Sequence, residues 1–134
     1  MSTKVETLNQ GNSKSQILNV ILWIVQLGTA AMFFMAGGNK LAGNPQMVGL
    51  YEAIGIGQWF RYLTGVMEVS GALLLLIPAL SGVGGLALTG VMLGAVATHL
   101  FVIGGDPTMA FAMLAASIVI AVGRKDRTLS LIGR

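Results

Sequence analysis

Long apolar runs, broken by short polar segments, set the organisation of this chain. Residues 17–36 form an uncharged run of the length needed to cross a hydrocarbon core of about 30 Å. Further runs follow at about 60–80, 82–103 and 107–123. Lipid supplies no hydrogen-bond partner for backbone N–H and C=O groups, so each run is expected to be helical. The predicted fold is all-α: a bundle of four transmembrane helices over residues 17–124, after a polar N-terminal tail (1–16) expected to be loosely ordered and before a basic C-terminal tail (125–134). A signal peptide is the other reading of the first run. That run is too long for a typical signal and no small-x-small cleavage site follows, so a retained helix is expected.

The connections differ. Residues 78–82 leave room only for a tight antiparallel hairpin between the second and third spans. At Gly104-Gly-Asp-Pro107, Asp106 reads as an N-cap and Pro107 as the first residue of the fourth helix. The segment from Gly37 to Trp59 is long enough to hold structure. A short helix is predicted to start at Asn44-Pro45 and end at Gly55, with Met47, Leu50, Tyr51 and Ile54 on one face. Such a helix suits the membrane surface or a cap on the bundle.

Composition supports lipid as the solvent. Of the 134 residues 54% are hydrophobic and only 10% charged, and the mean hydropathy is +0.79; soluble chains carry about 25% charge. The net charge of +3 does not point to nucleic acid, because the few basic residues lie at the ends of apolar runs. They read as topology signals and contacts to anionic lipid. Lys4 and Lys14 precede the first span, and Arg124, Lys125, Arg127 and Arg134 follow the last. Positive-inside reasoning therefore puts both termini in the cytoplasm and the long loop outside, against the weaker opposing signal of Lys40 and Arg61. Trp59, Phe60 and Tyr62 fit an interfacial aromatic belt. The chain has no cysteine, which removes disulfides, thiolate metal sites and cysteine nucleophiles.

Glu68 is the chief candidate for chemistry. A carboxylate at membrane depth costs about 2.5–3.5 kcal/mol on insertion scales and normally has a partner and a purpose. Arg61 lies seven residues, about 10 Å, away along the same helix face, with Thr64, Gly65, Gly71 and Ala72 on that stripe. His99, the only histidine, is five residues before Gly104, Lys40 follows the outer end of the first helix, and Asp106 caps the fourth. All four helices are thus expected to bring a polar group to the outer half of the bundle. The structural alternative is a Glu68 that merely pairs with Lys40 or Arg61 as interhelical glue. Metal or haem ligation lacks a supporting spacing or motif. The eight methionines read as flexible packing, and Gly90-Val-Met-Leu-Gly94 as a small-xxx-small stripe for close helix contact or dimerisation. The likeness of Phe34-Met-Ala-Gly-Gly38 to Phe101-Val-Ile-Gly-Gly105, each read as closing an outward-running helix, is a weak trace of internal duplication.

The chain resembles the DoxX-like family of small bacterial membrane proteins. The resemblance rests on Ala36-Gly-Gly-Asn-Lys-Leu41, Phe60-Arg-Tyr-Leu-Thr-Gly-Val-Met-Glu68, Gly71-Ala-Leu-Leu-Leu-Leu-Ile-Pro78, Gly94-Ala-Val-Ala-Thr-His99 and the Gly104–Pro107 turn. It implies a four-helix bundle in the bacterial inner membrane and places Lys40, Glu68 and His99 within family-type motifs. Relatives include subunits of a thiosulfate:quinone oxidoreductase, members of oxidative-stress complexes and, more distantly, assembly chaperones; the lack of cysteine argues against covalent sulfur transfer here. Two functions are therefore expected to compete. One is an oxidoreductase subunit without a redox centre of its own, in which Lys40 or Arg61 and His99 hold a quinone headgroup while Glu68 moves protons; Glu68 and His99 are its candidate catalytic residues, and Lys40, Arg61, Glu68 and His99 its candidate ligand-binding residues. The other is a non-enzymatic scaffold, chaperone or regulator of a partner membrane protein. Either reading leaves room for a homo-oligomer or a partner subunit.

Overall fold

The computed structural model describes residues 2–133, with side chains from Lys14 onward. Six α-helices follow one another: α1 Ser2–Ala42, α2 Pro45–Ile54, α3 Trp59–Leu76, α4 Ser81–Thr98, α5 Thr108–Gly123 and α6 Lys125–Ile132. A 3₁₀ turn, Pro78–Leu80, joins α3 to α4, and α4 continues into a π-helical turn, His99–Ile103. No strand occurs among the described residues. The tail before residue 17, expected to be loosely ordered, belongs to α1 from Ser2 on.

The four long helices pack in a ring: α1 on α3, α3 on α4, α4 on α5, and α5 back on α1. Phe33, Leu75, Leu88 and Ile120, fully buried, form its centre, one from each helix. The outward faces are equally apolar; Ile24, Met35, Leu73, Leu86 and Val119 are all exposed. Helices that are hydrophobic all round fit an apolar solvent. Two helical segments are long and apolar enough to cross a membrane, Lys14–Ala42 and Pro78–Ile103. A third qualifies if α5 and α6, bent by 57° at Arg124, are taken together. Helix α3 is not among them; its 18 residues carry both Arg61 and Glu68.

Local signals explain most boundaries. The Asn44 side chain accepts from the Gln46 amide at 3.0 Å, Pro45 opens α2, and Gly55 ends it in the left-handed region at φ 88°, a conformation that glycine adopts without a Cβ penalty. Asp106, expected at the N-cap of α5, lies one position before the cap and accepts from the Thr108 amide at 3.0 Å and from the Thr108 hydroxyl. The helix itself starts one residue later than predicted, with Pro107 at the cap.

The largest departure is at the end of α1. The Gly37-Gly38 pair was expected to close this helix, but it runs on to Ala42 and stops before Gly43, at φ 75°. Tertiary packing overrides the local signal. A Cβ on Gly37 would lie 2.9 Å from the Gly65 carbonyl oxygen and 3.1 Å from Glu68 Cβ, so the bare glycine lets α1 lie against α3. The extra turn places Lys40 on a helix, beside Glu68, rather than in a loop. The Gly90/Gly94 stripe shows the opposite behaviour. A Cβ at either position would meet nothing within 4 Å, whereas one on Gly85 would lie 2.7 Å from the Ala121 backbone nitrogen. Within the chain, close helix contact therefore falls at Gly85, and the predicted stripe faces open space.

Candidate functional site

The interior of α3 supplies the acid. Glu68 is 2% exposed, and Lys40 Nζ donates to both of its carboxylate oxygens, at 2.9 and 3.0 Å. The side chains of the pair are 12% and 3% exposed. A buried ion pair is stable only when its geometry is close and its remaining polar atoms find partners; contact with both oxygens satisfies the first condition. It is the one salt bridge among the described residues.

Arg61 is buried as well, yet it makes no bond to Glu68. Its Nη1 donates to the Lys40 carbonyl, its Nε to Gln58 Oε1 at 2.7 Å, and its guanidinium stacks on the Tyr62 ring at 4.3 Å. The Lys40 carbonyl belongs to the last turn of α1, where four carbonyls lack helical partners. Arg61 thus caps a helix C-terminus, where a cation is also favoured by the helix dipole, and in doing so fixes the backbone that carries Lys40.

A cavity of about 540 Å³ opens beside the ion pair, within the usual range of roughly 300–1,000 Å³ for small-molecule sites. Lys40, Glu68, His99 and Asp106 all contribute to its wall. The expected convergence of polar groups from four helices is therefore present, while Arg61 stands outside the wall. Gly90 and Gly94 also line the cavity, and their missing side chains help to make it. The remaining wall is largely apolar and includes Met47, Met67, Met92, Met109 and Met113. Five of the eight methionines thus surround the cavity, where an unbranched thioether can adapt to a guest.

The π-helical turn starts at His99, a feature common at functional sites. His99 Nδ1 donates to the Ala95 carbonyl at 2.9 Å; a carbonyl only accepts, so this nitrogen carries the proton. Asp106 is exposed, and the Thr108 hydroxyl and amide hold its carboxyl below the usual carboxylate range. From α2, Tyr51 reaches over the cavity and meets Thr64 Oγ1 at 2.6 Å. Sequence reading placed Tyr51 on the apolar face of α2 but missed its polar contact with α3.

A second polar network, also missed, lies at the other end of the bundle. Arg124, expected to be a topology signal, is 6% exposed. Its Nε donates to Gln26 Oε1 at 2.6 Å and its Nη1 to Asn19 Oδ1 at 2.9 Å. Gln26 Nε2 in turn donates to the Leu75 carbonyl at 2.7 Å, tying α1, α3 and α5 together. A glutamine in an uncharged 20-residue run was a signal that could have been followed. Its pairing with Arg124, 98 positions away, has no local trace.

Residues 24–122 match the model of the DoxX-like family. The match spans most of the chain, which belongs to that family. Comparison with curated proteins and with solved structures finds no match. Family membership and apolar helices together make this a multi-pass membrane protein.

Proposed function

We propose that this member of the DoxX-like family binds a small, mainly apolar ligand with an oxygen-bearing headgroup, of the quinone class, in the Lys40–Glu68 cavity, as part of a quinone-linked redox or oxidative-stress system. Helices α1, α3, α4 and α5 each cross the bacterial inner membrane, and both termini lie in the cytoplasm. Supporting this topology, basic residues collect at the α6 end and the polar atoms of α3 are turned inward, where Arg61 and Glu68 are both buried.

The observation that carries the reading is a buried ion pair in the wall of a cavity. Lys40 is the headgroup donor rather than Arg61, whose donors reach Lys40 and Gln58 instead. Glu68 is the proton-accepting group, and Arg61 acts on the site through the backbone of Lys40. A bound quinone supplies a carrier of two electrons and two protons. With no cysteine in the chain, its electrons exchange with a partner subunit or substrate.

One observation favours the scaffold reading. The pair joins α1 to α3 and Arg61 reinforces the same junction, an arrangement that needs no ligand. The test is a thermal-shift titration in detergent with ubiquinone-1, on the wild type and on Lys40→Met/Glu68→Leu. Replacing both charges by apolar groups of similar volume is often neutral for stability. A site gives a wild-type Tm that rises with quinone and a double variant of normal Tm that no longer responds. A wild type that ignores quinone supports the scaffold.

A further inference from the structure

We infer that the cavity takes an aromatic hydroxyl compound, a hydroquinone or other phenol, in preference to the corresponding dione, and that His99 sets the preference. The inference rests on the quinone-class reading of the same cavity and adds which member of the couple the site is built to hold.

The argument is a count of donors and acceptors. Lys40 Nζ directs two of its three protons at Glu68, which leaves one N–H for an acceptor in the cavity. His99 Nδ1–H is committed to Ala95, so in the tautomer that this bond selects the ring atom left for a guest is Nε2, an acceptor. Thr64 Oγ1 lies 3.1 Å from the Phe60 carbonyl and 3.2 Å from the Arg61 carbonyl. Neither can donate, so the Thr64 hydroxyl donates to them and the Tyr51 hydroxyl donates to Thr64. What remains of Tyr51 is lone pairs. Among these side chains of the wall, Lys40 therefore offers the free donor, and His99, Tyr51, Glu68 and also Asp106 offer acceptors.

A dione brings acceptors only. One of its oxygens satisfies Lys40; the other meets no side-chain donor and covers His99 Nε2, half-buried in the wall, without pairing it, which is costly for a polar atom taken out of water. A hydroquinone meets both needs. One hydroxyl oxygen accepts from Lys40, and the other hydroxyl donates to His99 Nε2. Sites built to bond a hydroxyl reject analogues that lack it far more strongly than apolar pockets reject a change of size. The methionine-rich wall favours the aromatic ring common to both forms, through sulfur–ring contacts.

The experiment is equilibrium binding of ubiquinol-1 and ubiquinone-1 to the detergent-purified protein under argon, for the wild type, His99→Phe and His99→Gln. The expected wild-type result is binding of the quinol about tenfold or more tighter than the quinone, the scale of one buried hydrogen bond. His99→Phe should bring the two affinities within about twofold, chiefly by weakening the quinol. His99→Gln, whose side-chain carbonyl can accept, should restore part of the preference, and the Tm of each variant checks that the π-helical turn has survived. Equal affinities in the wild type, a preference for the quinone, or a quinol preference that persists in a folded His99→Phe would overturn the inference while leaving a quinone-class site intact. Failure to bind either compound would remove the quinone-class reading and this inference with it.

Discussion

Two cations at opposite ends of the bundle, Arg124 and Lys40, are partnered differently. Arg124 gives its donors to neutral oxygens on Gln26 and Asn19, and Gln26 passes the link on to α3. Lys40 faces a carboxylate and a cavity of about 540 Å³. The Arg124 network ties three helices together and takes no part in the wall of that cavity; the Lys40 pair ties two and retains an N–H for a guest. Burial of charge alone therefore does not mark a site in this protein. Spare hydrogen-bonding capacity beside an accessible volume does, and the Lys40 end has both.

That contrast can be broken by substitution. The largest effect is expected for Glu68→Ala, which strands the Lys40 ammonium in an apolar surrounding; loss of one partner of a buried pair costs about 3–5 kcal/mol, read as a fall in Tm in detergent. Arg124→Met should cost about 2–3 kcal/mol, the scale for bonds to a charged group, and should leave ligand binding in the distant cavity unaltered. Lys40→Met/Glu68→Leu sharpens the comparison: stability within about 1 kcal/mol of wild type, with ligand binding abolished. Tyr51→Phe removes a single hydroxyl bond between α2 and α3, worth about 1 kcal/mol, and should speed ligand exchange past α2 in stopped-flow measurements. The smallest change in stability is expected for Gly90→Ala, whose new methyl group meets nothing. The same substitution at Gly85, against the Ala121 backbone, should be clearly destabilising.

Much of this was legible in the sequence because the signals are local. Apolar runs locate α1, α4 and α5, since lipid forces their backbones into helices. Asn44-Pro45 and Gly55 bound α2 through capping chemistry that spans a few residues. Glu68 stood out as a carboxylate within an apolar run, and Lys40, His99 and Asp106 could be placed near it by depth alone. The rest depends on contacts between distant positions. The Gly37-Gly38 pair carries the same local stop signal whether or not α3 packs against it. Which cation pairs with Glu68 was open between Lys40 and Arg61, because depth does not reveal rotation about a helix axis. The Gly90/Gly94 stripe reads the same for a helix contact as for a cavity wall, and Arg124 looked like a topology charge until Gln26 was found beside it.

The most direct measurement is solvent extraction and mass spectrometry of the protein purified in mild detergent, alongside Lys40→Met/Glu68→Leu. The expected result is a near-stoichiometric quinone-class molecule in the wild type and none in an equally stable double variant. A wild-type protein that is well folded and empty, or a double variant that retains the same molecule, would contradict the assignment of this cavity as a ligand site.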